Sequence, residues 1–484
     1  MAARSTTLSL ETSPFASRVL EGPFEGAARV EGAFPEWLRG RLMRTAPAVF
    51  EQNGWTARHW FDALGMLYRF DLEGPSRVTW KQRLLECDVT RSIAGAGRSP
   101  HATFASGNGR SLLRRIFEPI PVSTDNTNVN VVPLGSGSDD WVAMTETSRQ
   151  LAIDPDTLKT REEITFTDDL PPRMGMTAHP LLDVARDRVV NVGSVFGRRP
   201  ELVAFSYDRR SRRREVIGRW GAPRLPYVHA FGLTPTKVIL IAHPMDMSPL
   251  SLLWANDYLS HFRWHPEQGT RLLVIDRRSG AIETFETDPF FVFHTVNAFD
   301  EEAGGAALDL LAYDDPRIMT EATRMDALAR GFPDLAPRLT RVRMRPGAAR
   351  ASIERLGDDG FEFPSISYRA KSGRRHRFVW GTSDTASVGA EVRSTLLRVD
   401  VERGETRRFD GDGFVFGEPI FVAAPAAGSG AEDDGVILAV GSDARRGQAK
   451  LVALRGDDLT PVAQATIDVP LPLGFHGSFQ RAPG

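Results

Sequence analysis

The chain has 484 residues and a formal net charge of −2, with 41% hydrophobic and 25% charged residues. This composition is ordinary for a soluble globular protein, and the near-neutral charge argues against a nucleic-acid partner. The single cysteine, Cys87, excludes both a disulfide framework and a cysteine-rich zinc site.

Targeting and membrane-spanning signals are not visible in the sequence. Residues 1–15 are polar and lack the apolar stretch of a secretory signal. No apolar run approaches the roughly 18 to 20 residues that cross a membrane. Composition does not shift sharply along the chain. We therefore expect one cytoplasmic domain covering residues 1–484, with residues 1–20 as an extended N-terminal segment.

One hairpin pattern recurs along the chain: a short apolar strand, a turn rich in Asp, Gly or Pro, and a second, more polar strand. Seven copies can be aligned, with their turns at Asp71, Asp154, Asp208, Asp276, Arg345, Asp400 and Arg455. Other strand candidates, such as DRVVNVGSV and DGVILAVGS, lie between the hairpins and give about four strands per unit.

Seven such units predict an all-β fold, a seven-bladed β-propeller whose last blade is completed by the N-terminal segment. Successive turns lie 54 to 83 residues apart. This spacing is near the roughly 40 to 50 residue period of known blades once long loops are allowed for. On the pattern alone, a β-sandwich and a two-domain β protein remain alternatives. The helix formers in IMTEATRMDALAR predict a short helix outside the blades.

Four of the ten histidines occupy equivalent places in this repeat. His179, His229, His294 and His476 each follow a hairpin turn by 18 to 25 residues, near the start of the first strand of a new unit. The first strand of each blade lines the central channel of a propeller, so four imidazoles would converge on its axis. The other six histidines lack this spacing, and we expect structural or surface roles for them.

Two glutamates complete the series, because Glu362 and Glu418 follow the fifth and sixth turns by 17 and 18 residues. A histidine that binds a metal usually donates its other ring N–H to a carboxylate or a carbonyl oxygen. We therefore expect these glutamates to orient two of the imidazoles. Glu146, in the predicted strand AMTETS, is a third candidate, although its spacing does not match the series.

Four neutral imidazoles suit Fe(II), Zn(II) or Cu(II). A structural zinc site is closed and tetrahedral and usually contains cysteine. Fe(II) prefers more ligands than four histidines provide, so positions would remain for O2 and for water or substrate. We therefore predict that one Fe(2+) ion, bound by His179, His229, His294 and His476, is the catalytic centre.

These residues lie in strings that resemble the carotenoid cleavage oxygenases over nearly the full chain: HWFDALGM, STDNTNVNVV, TETS, MTAHP, YVHAFGLTP, FFVFHTVNAF, FEFPSIS, FGEPIFV, EDDG and FHGSF. The branch that the chain resembles most contains the β-carotene oxygenases and the retinal pigment epithelium isomerohydrolase. The resemblance implies a seven-bladed propeller with loops and short helices over its metal-bearing face. It also implies four histidine ligands to Fe(II) and three glutamates behind them, which the matching motifs place on His179, His229, His294, His476, Glu146, Glu362 and Glu418.

The resemblance further implies that O2 cleaves a conjugated C=C bond of an apolar polyene, a carotenoid or an apocarotenoid, to give two carbonyl products. Such a substrate requires an apolar tunnel. Six aromatic residues are candidates for its wall, each equally able to be an ordinary core residue: Phe61, Phe117, Trp141, Phe231, Phe293 and Phe363. One departure from the family pattern, Ala63-Leu64 in place of Gly-Asp, lies in a segment that we expect to be structural.

Carotenoids reside in membranes, and two segments combine apolar with basic residues: 110–121 (RSLLRRIFEPIP) and 247–264 (MSPLSLLWANDYLSHFRW). Each segment is predicted to form an amphipathic interfacial helix that gives peripheral contact with a membrane. The alternative is that both are loops packed on the rim of the propeller. The sequence carries no indication of an oligomeric state.

Three other functions remain alternatives. Cleavage of a stilbene-like phenol is disfavoured, because none of the five lysines lies just before DNTNVNVV, where a phenol-binding lysine is expected. Isomerisation and hydrolysis of a retinoid ester is disfavoured, because the cysteine motifs of the isomerohydrolase are absent. A metal-stabilised scaffold without catalytic activity has no need for an open iron site.

Overall fold

The computed structural model describes residues 24–108, 111, 113, 123–134, 140–197, 199–208, 211–248, 251, 256–330, 335–388, 391–425 and 431–482. The predicted N-terminal segment 1–20 lies outside these ranges. The predicted interfacial segment 110–121 also lies outside them, apart from residues 111 and 113.

Short antiparallel strands dominate the described residues, because apolar and polar residues alternate between turns rich in Gly, Pro and Asp. The first strands along the chain are β1 (Phe24–Ala27), β2 (Arg29–Gly32), β3 (Gly40–Val49), β4 (Glu51–Gln52), β5 (Trp55–Thr56), β6 (Leu64–Gly74), β7 (Arg77–Leu84), β8 (Asn130–Pro133), β9 (Trp141–Met144), β10 (Leu151–Ile153) and β11 (Thr160–Glu163). The next are β12 (Gly175–Met176), β13 (Leu181–Asp183), β14 (Arg188–Val195), β15 (Glu201–Asp208), β16 (Arg214–Gly221), β17 (Leu225–Pro226), β18 (Gly232–Leu233), β19 (Lys237–Ala242), β20 (Met245–Met247), β21 (Phe262–Trp264), β22 (Thr270–Asp276) and β23 (Ile282–Thr287). The last are β24 (Phe291–Asp300), β25 (Ala306–Tyr313), β26 (Arg338–Met344), β27 (Ser352–Gly360), β28 (Glu362–Ser365), β29 (Phe378–Val388), β30 (Glu391–Asp400), β31 (Glu405–Asp410), β32 (Val415–Phe416), β33 (Ile420–Ala423), β34 (Gly435–Asp443), β35 (Gln448–Arg455), β36 (Pro461–Ile467) and β37 (Gly477–Arg481).

Helical segments are short throughout the described ranges. The α-helices are Asp88–Ala96, Met325–Leu328 and Tyr368–Lys371. Single turns of 3-10 helix occur at Trp60–Asp62, Leu259–His261, Pro266–Gln268 and Glu302–Gly304, and a π-helical turn at Ile318–Ala322. The turn Ile318–Ala322 and the helix Met325–Leu328 lie outside the blades, where the sequence predicted a short helix.

Within the described residues, seven sheets of four or more strands form the blades of the predicted propeller. Their strand orders are β37-β3-β6-β7-β1, β8-β9-β10-β11, β12-β14-β15-β16 with β13 beside β14, β18-β19-β22-β23, β24-β25-β26-β27, β28-β29-β30-β31, and β32-β34-β35-β36-β2 with β33 beside β34. The first strands of neighbouring blades contact one another, as β24 does with β18 and β28, and β37 with β8 and β33. The first strands therefore form the inner ring, and buried apolar residues fill the spaces between blades.

Both ends of the described chain close the ring. Near the N-terminus, β2 pairs with β36 and completes the last blade, as the pattern predicted. Near the C-terminus, β37 pairs with β3 and becomes the first strand of the blade that contains β6 and β7. Two neighbouring blades are thus built from distant parts of the chain.

Six of the seven predicted turns connect the last two strands of a blade, between β10 and β11, β15 and β16, β22 and β23, β26 and β27, β30 and β31, and β35 and β36. The turn predicted at Asp71 is wrong. Asp71 lies inside β6, where it accepts a 2.7 Å hydrogen bond from Arg69, and the chain turns between Gly74 and Arg77. Strand pairing continues past the aspartate to the Gly-Pro step, which ends the strand.

The helix predicted over 247–264 is also wrong for the described part of that segment. Met247 ends β20, Leu259–His261 is a single 3-10 turn, and Phe262–Trp264 forms β21, which pairs with β20. Met247 and Phe262 are buried within the protein, so their apolar side chains pack inward. Among the described residues, no helix is long and apolar enough to cross a membrane.

A buried ion pair within one blade lies against the neighbouring blade. Arg341 in β26 donates two hydrogen bonds of 2.7 Å to Asp309 in β25, and both side chains are buried. His376, which precedes β29 of the next blade, lies with Nε2 3.3 Å from the same carboxylate. Asn297 in β24 donates to two backbone carbonyl oxygens in the segment 371–374. These contacts fix β24, one of the inner strands, against the blade beside it.

Replacing Arg341 with Met should destabilise the protein strongly, because Asp309 would stay buried without its cationic partner. Removal of one partner from a buried ion pair costs about 3 to 5 kcal/mol. We expect a clear fall of the thermal unfolding midpoint, measured by circular dichroism.

The matched control is Arg350→Met. Arg350 pairs with Asp288 at the surface, with side-chain exposures of 61% and 83%, and exposed pairs contribute about 0 to 1 kcal/mol. Equal falls of the unfolding midpoint in the two variants would contradict the structural role assigned to the Asp309 pair.

Candidate metal centre

The four predicted histidines meet where the inner strands converge. His294 lies in β24 at an irregularity of its pairing with β25, and His476 immediately precedes β37. His179 lies between β12 and β13, and His229 between β17 and β18. At each histidine the regular strand pairing is interrupted, so its side chain need not alternate between the two faces of the sheet as in a regular strand.

The four imidazole rings form one cluster. Nε2 of His179 lies 3.0 Å from Nε2 of His229, and Nε2 of His294 lies 3.1 Å from Nε2 of His476. The ring centroids of His179 and His476 are 4.5 Å apart, and those of His229 and His294 are 5.2 Å apart. Ligand nitrogens of His179, His294 and His476 all lie within 4.8 Å of one another, close enough to share one ion. His229 adjoins this group through its 3.0 Å approach to His179.

The other ring nitrogen of three histidines contacts a predicted glutamate. The distances from Nδ1 to the carboxylate are 2.5 Å for His229–Glu146, 2.5 Å for His294–Glu362 and 3.0 Å for His476–Glu418. Among the described residues, no carboxylate contacts the ring of His179. Three of the four rings are thus held in orientation by a charged acceptor on the side away from the cluster.

These carboxylates determine which ring nitrogen carries the hydrogen. A carboxylate accepts hydrogen bonds, so the nitrogen that faces it is the N–H donor. In His294 and His476 this nitrogen is Nδ1, which leaves both Nε2 atoms unprotonated. Two unprotonated nitrogens 3.1 Å apart direct their lone pairs at each other, which is unfavourable unless a cation lies between them. The donor set therefore fits a metal ion held by neutral imidazoles.

Burial also favours the neutral form of the imidazoles. Burial and the neighbouring imidazoles lower the pKa of His179 and of His476 well below 6.5. Both rings are therefore neutral near pH 7 and can bind a metal without first losing a proton. For Glu418 burial acts in the opposite sense and raises the pKa to about 7, but the positive charge of Arg44 opposes this rise and favours the ionised acceptor for the His476 N–H.

Behind the glutamates lies a further layer of polar residues. The Tyr227 hydroxyl donates to Glu146 at 2.7 Å, and the Tyr313 hydroxyl donates to Glu362 at 2.8 Å. Sequence analysis did not identify either tyrosine. Tyr227 had one usable signal, because it precedes His229 by two residues and so lies on the same side of an extended chain. Tyr313 lies in a different blade from Glu362, so no local pattern pairs them.

Glu418 is held by a buried arginine that the sequence also did not reveal. Arg44 in β3 donates through Nη1 to the backbone carbonyl oxygen of Glu418 at 2.7 Å, and its Nη2 lies 3.7 Å from Oε2 of the carboxylate. The backbone N–H of Gly477 donates to the same carboxylate oxygen at 3.2 Å. The strand that closes the propeller therefore also positions this glutamate.

An apolar cavity of about 230 Å³ opens beside the cluster, with His229, His294 and His476 in its wall. Of the six aromatic candidates, Phe61, Phe293 and Phe363 line this cavity, Trp141 and Phe231 are buried in the hydrophobic core, and Phe117 lies outside the described residues. The ring of Phe293 lies 5.1 Å from that of His229, between centroids. An extended apolar molecule in the cavity would thus pass next to the imidazoles.

His59 ties this wall to the π-helical turn Ile318–Ala322. Its Nδ1 accepts the backbone N–H of Phe61 at 3.1 Å, so Nε2 carries the hydrogen and donates to the carbonyl oxygen of Met319 at 2.9 Å. Burial lowers the pKa of His59 to about 4. The neutral ring therefore supports Phe61 of the cavity wall from behind.

Acidification should destabilise the protein through His59. The folded-state pKa of about 4 lies below the ordinary value of 6.5, so the unfolded chain takes up the proton first as the pH falls. The stability contributed by this ring is complete above pH 6.5 and is lost between pH 6.5 and 4, a change of about 3 kcal/mol. His59→Gln keeps a donor and an acceptor and should flatten the pH profile of the thermal midpoint. Parallel wild-type and variant profiles would argue against this role.

Known proteins match this chain over nearly its full length. The family model described as retinal pigment epithelial membrane protein, RPE65, matches residues 15–481. The chain is 28% identical over 533 residues to the mitochondrial carotenoid-cleaving dioxygenase of Mustela putorius furo, with 96% of both proteins covered. It is 30% identical over 504 residues to the chloroplastic carotenoid cleavage dioxygenase 8 homolog A of Oryza sativa subsp. japonica, covering 98% of this chain and 88% of that protein.

Solved structures have the same fold. A mutant of the Synechocystis apocarotenoid oxygenase is 24% identical and superposes with a TM-score of 0.82, covering 98% of both chains. The cobalt-substituted form of the Synechocystis ACO superposes with a TM-score of 0.82 at 23% identity, again over 98% of both chains. These likenesses confirm the predicted all-β propeller.

Proposed function

The chain belongs to the RPE65 family of carotenoid oxygenases, and we propose that it is a non-haem Fe(II) dioxygenase acting on a carotenoid or an apocarotenoid. In this reaction O2 cleaves one conjugated C=C bond and leaves a carbonyl group on each fragment. We assign the iron to His179, His229, His294 and His476, and the orientation of three of these rings to Glu146, Glu362 and Glu418. The proposal rests above all on the 3.1 Å approach of two Nε2 atoms whose rings donate their N–H to glutamates.

The separations of the ring nitrogens match those of neighbouring ligands on one ion. Two nitrogens bound at about 2.1 Å from one ion lie about 3.0 Å apart at a right angle and about 3.4 Å apart at the tetrahedral angle. The Nε2 separations are 3.0 Å and 3.1 Å. When bound, Fe(II) would supply the ability to activate O2 without an organic cofactor.

The residues around the cluster position the substrate and exclude water. Phe61, Phe293 and Phe363 give the cavity an apolar wall next to the histidines. A conjugated hydrocarbon chain offers no hydrogen-bonding groups, so shape and aromatic contact hold one of its double bonds in place. The same wall keeps bulk water away from the reacting bond.

A second part of this proposal is contact with a membrane. Polyene substrates partition into membranes, so we infer that the protein collects its substrate by peripheral contact through 110–121 and the connection between β20 and β21. Protein bound to phospholipid vesicles after flotation would support this contact, and protein remaining wholly in the aqueous fraction would contradict it.

Iron content and product formation test the main proposal. Purified protein should contain iron and convert a carotenoid or an apocarotenoid to aldehydes only when O2 is present. His294→Ala should lose both properties, because one ligand is gone and Glu362 is left without its imidazole. Metal analysis and chromatography of the products give the two measurements.

A matched control is His265→Ala, a histidine outside the cluster with 30% of its side chain exposed, which should retain iron and activity. Wild-type protein that holds no iron and yields no aldehyde from any polyene would refute the proposal. Product formed without O2 would instead support an isomerohydrolase.

Glu362→Gln should weaken iron binding by about 10- to 100-fold, because the amide cannot replace a charged acceptor for the His294 N–H. Competition with a chelator measures the affinity. Tyr313→Phe leaves the carboxylate in place and should have a smaller effect. Unchanged affinity in Glu362→Gln would show that this glutamate does not orient the ligand.

A further inference from the structure

Tyr258 lines the cavity, and within the described part of the chain its hydroxyl group makes no hydrogen bond. The other two tyrosines at the site differ, because Tyr227 donates to Glu146 and Tyr313 donates to Glu362. Polar groups in protein interiors are ordinarily hydrogen-bonded. A phenol that lines an apolar cavity and has no hydrogen-bond partner among the described residues therefore points to a ligand that brings its own acceptor.

Neighbouring residues hold the Tyr258 ring in place. Its centroid lies 5.1 Å from that of Phe262 and 6.0 Å from that of Phe104. Its backbone N–H donates to the carbonyl oxygen of Thr103 at 3.2 Å. The loop that contains Thr103 is fixed in turn by buried Asp62, which accepts the Ser106 hydroxyl at 2.7 Å. The hydroxyl is thus presented from a fixed position.

The Tyr258 hydroxyl acts as a donor. Burial and the charge of Glu146 raise the pKa of Tyr258 well above 10, so the phenol stays protonated throughout the working range of the protein. Because Glu146 also lines the cavity, its influence on this hydroxyl agrees with a position on the cavity side. An acceptor oxygen on a bound molecule satisfies such a group, whereas a hydrocarbon cannot.

Tyr227 lies between the Tyr258 ring and the histidine cluster. The centroid of the Tyr258 ring is 6.4 Å from that of Tyr227, which is 6.1 Å from the ring of His229. A substrate oxygen bound to Tyr258 is therefore near the cluster as well. That oxygen and the double bond beside the histidines then lie in the same part of the polyene.

Building on the proposed function, we propose that Tyr258 determines substrate specificity by donating a hydrogen bond to an oxygen atom of the polyene. The preferred substrate is then an apocarotenoid with a carbonyl or hydroxyl group at one end, rather than a hydrocarbon carotenoid. The cleaved bond lies in the half of the polyene that carries this oxygen.

The test compares two ligands with the same number of conjugated double bonds, an apocarotenal and a hydrocarbon polyene. Binding is measured without O2 by quenching of tryptophan fluorescence. Tyr258→Phe should weaken binding of the apocarotenal about tenfold, the effect of one lost hydrogen bond, and should leave binding of the hydrocarbon unchanged. In aerobic turnover, the wild type should cut the apocarotenal in its oxygen-bearing half, and the variant should give mixed fragments.

Tyr207→Phe is the matched control, because Tyr207 is buried in a blade away from the cavity, and this variant should bind both ligands as the wild type does. Thermal midpoints of both variants establish that they are folded. Equal affinity of Tyr258→Phe and wild type for the apocarotenal, or equal losses for both ligands, would overturn the proposal. If Tyr258→Phe binds the apocarotenal more weakly than the wild type does, but the wild type cleaves neither ligand, the proposed function is refuted and the role of Tyr258 in binding stands.

Discussion

The contacts between glutamates and imidazoles impose the constraint around which the centre is built. Glu362 and Glu418 accept the Nδ1 hydrogens of His294 and His476, which directs the unprotonated Nε2 atoms toward each other. Without a cation, converging lone pairs in a buried place are unfavourable. The fold must therefore supply enough rigidity to hold them together, and a metal that binds there gains ligands whose orientation is already fixed.

The propeller provides that rigidity through its closure. β37 pairs with β3 immediately after His476, and Arg44 of β3 donates to the backbone carbonyl oxygens of Phe475 and Glu418 at 2.7 Å. One set of contacts thus joins the two ends of the ring and positions both a histidine and its glutamate. Assembly of the site and closure of the fold are consequently coupled, since neither arrangement is complete without the strand that begins at Gly477.

The polar groups around the cavity are divided between two tasks. Tyr227 and Tyr313 donate to the glutamates and so stabilise the histidine cluster from behind. Tyr258 lines a cavity whose wall is largely apolar. Its hydroxyl has no such partner among the described residues. In a mainly apolar cavity, a hydrogen-bond donor affects selectivity strongly, because a ligand that lacks an acceptor leaves the donor unpaired.

The repeat in the sequence predicted the four histidines, Glu362 and Glu418, and the resemblance to a known family added Glu146 and favoured the propeller over the other β folds. Apolar alternation and turn composition are local properties, and a repeated fold places equivalent positions at equivalent depths. Only the tertiary structure decided which groups support those residues. Arg44 and Glu418 are 374 residues apart and Tyr313 and Glu362 are 49 apart, each pair joining different blades. Such pairs form because the ring closes in space, and no local pattern records which distant side chains will then meet.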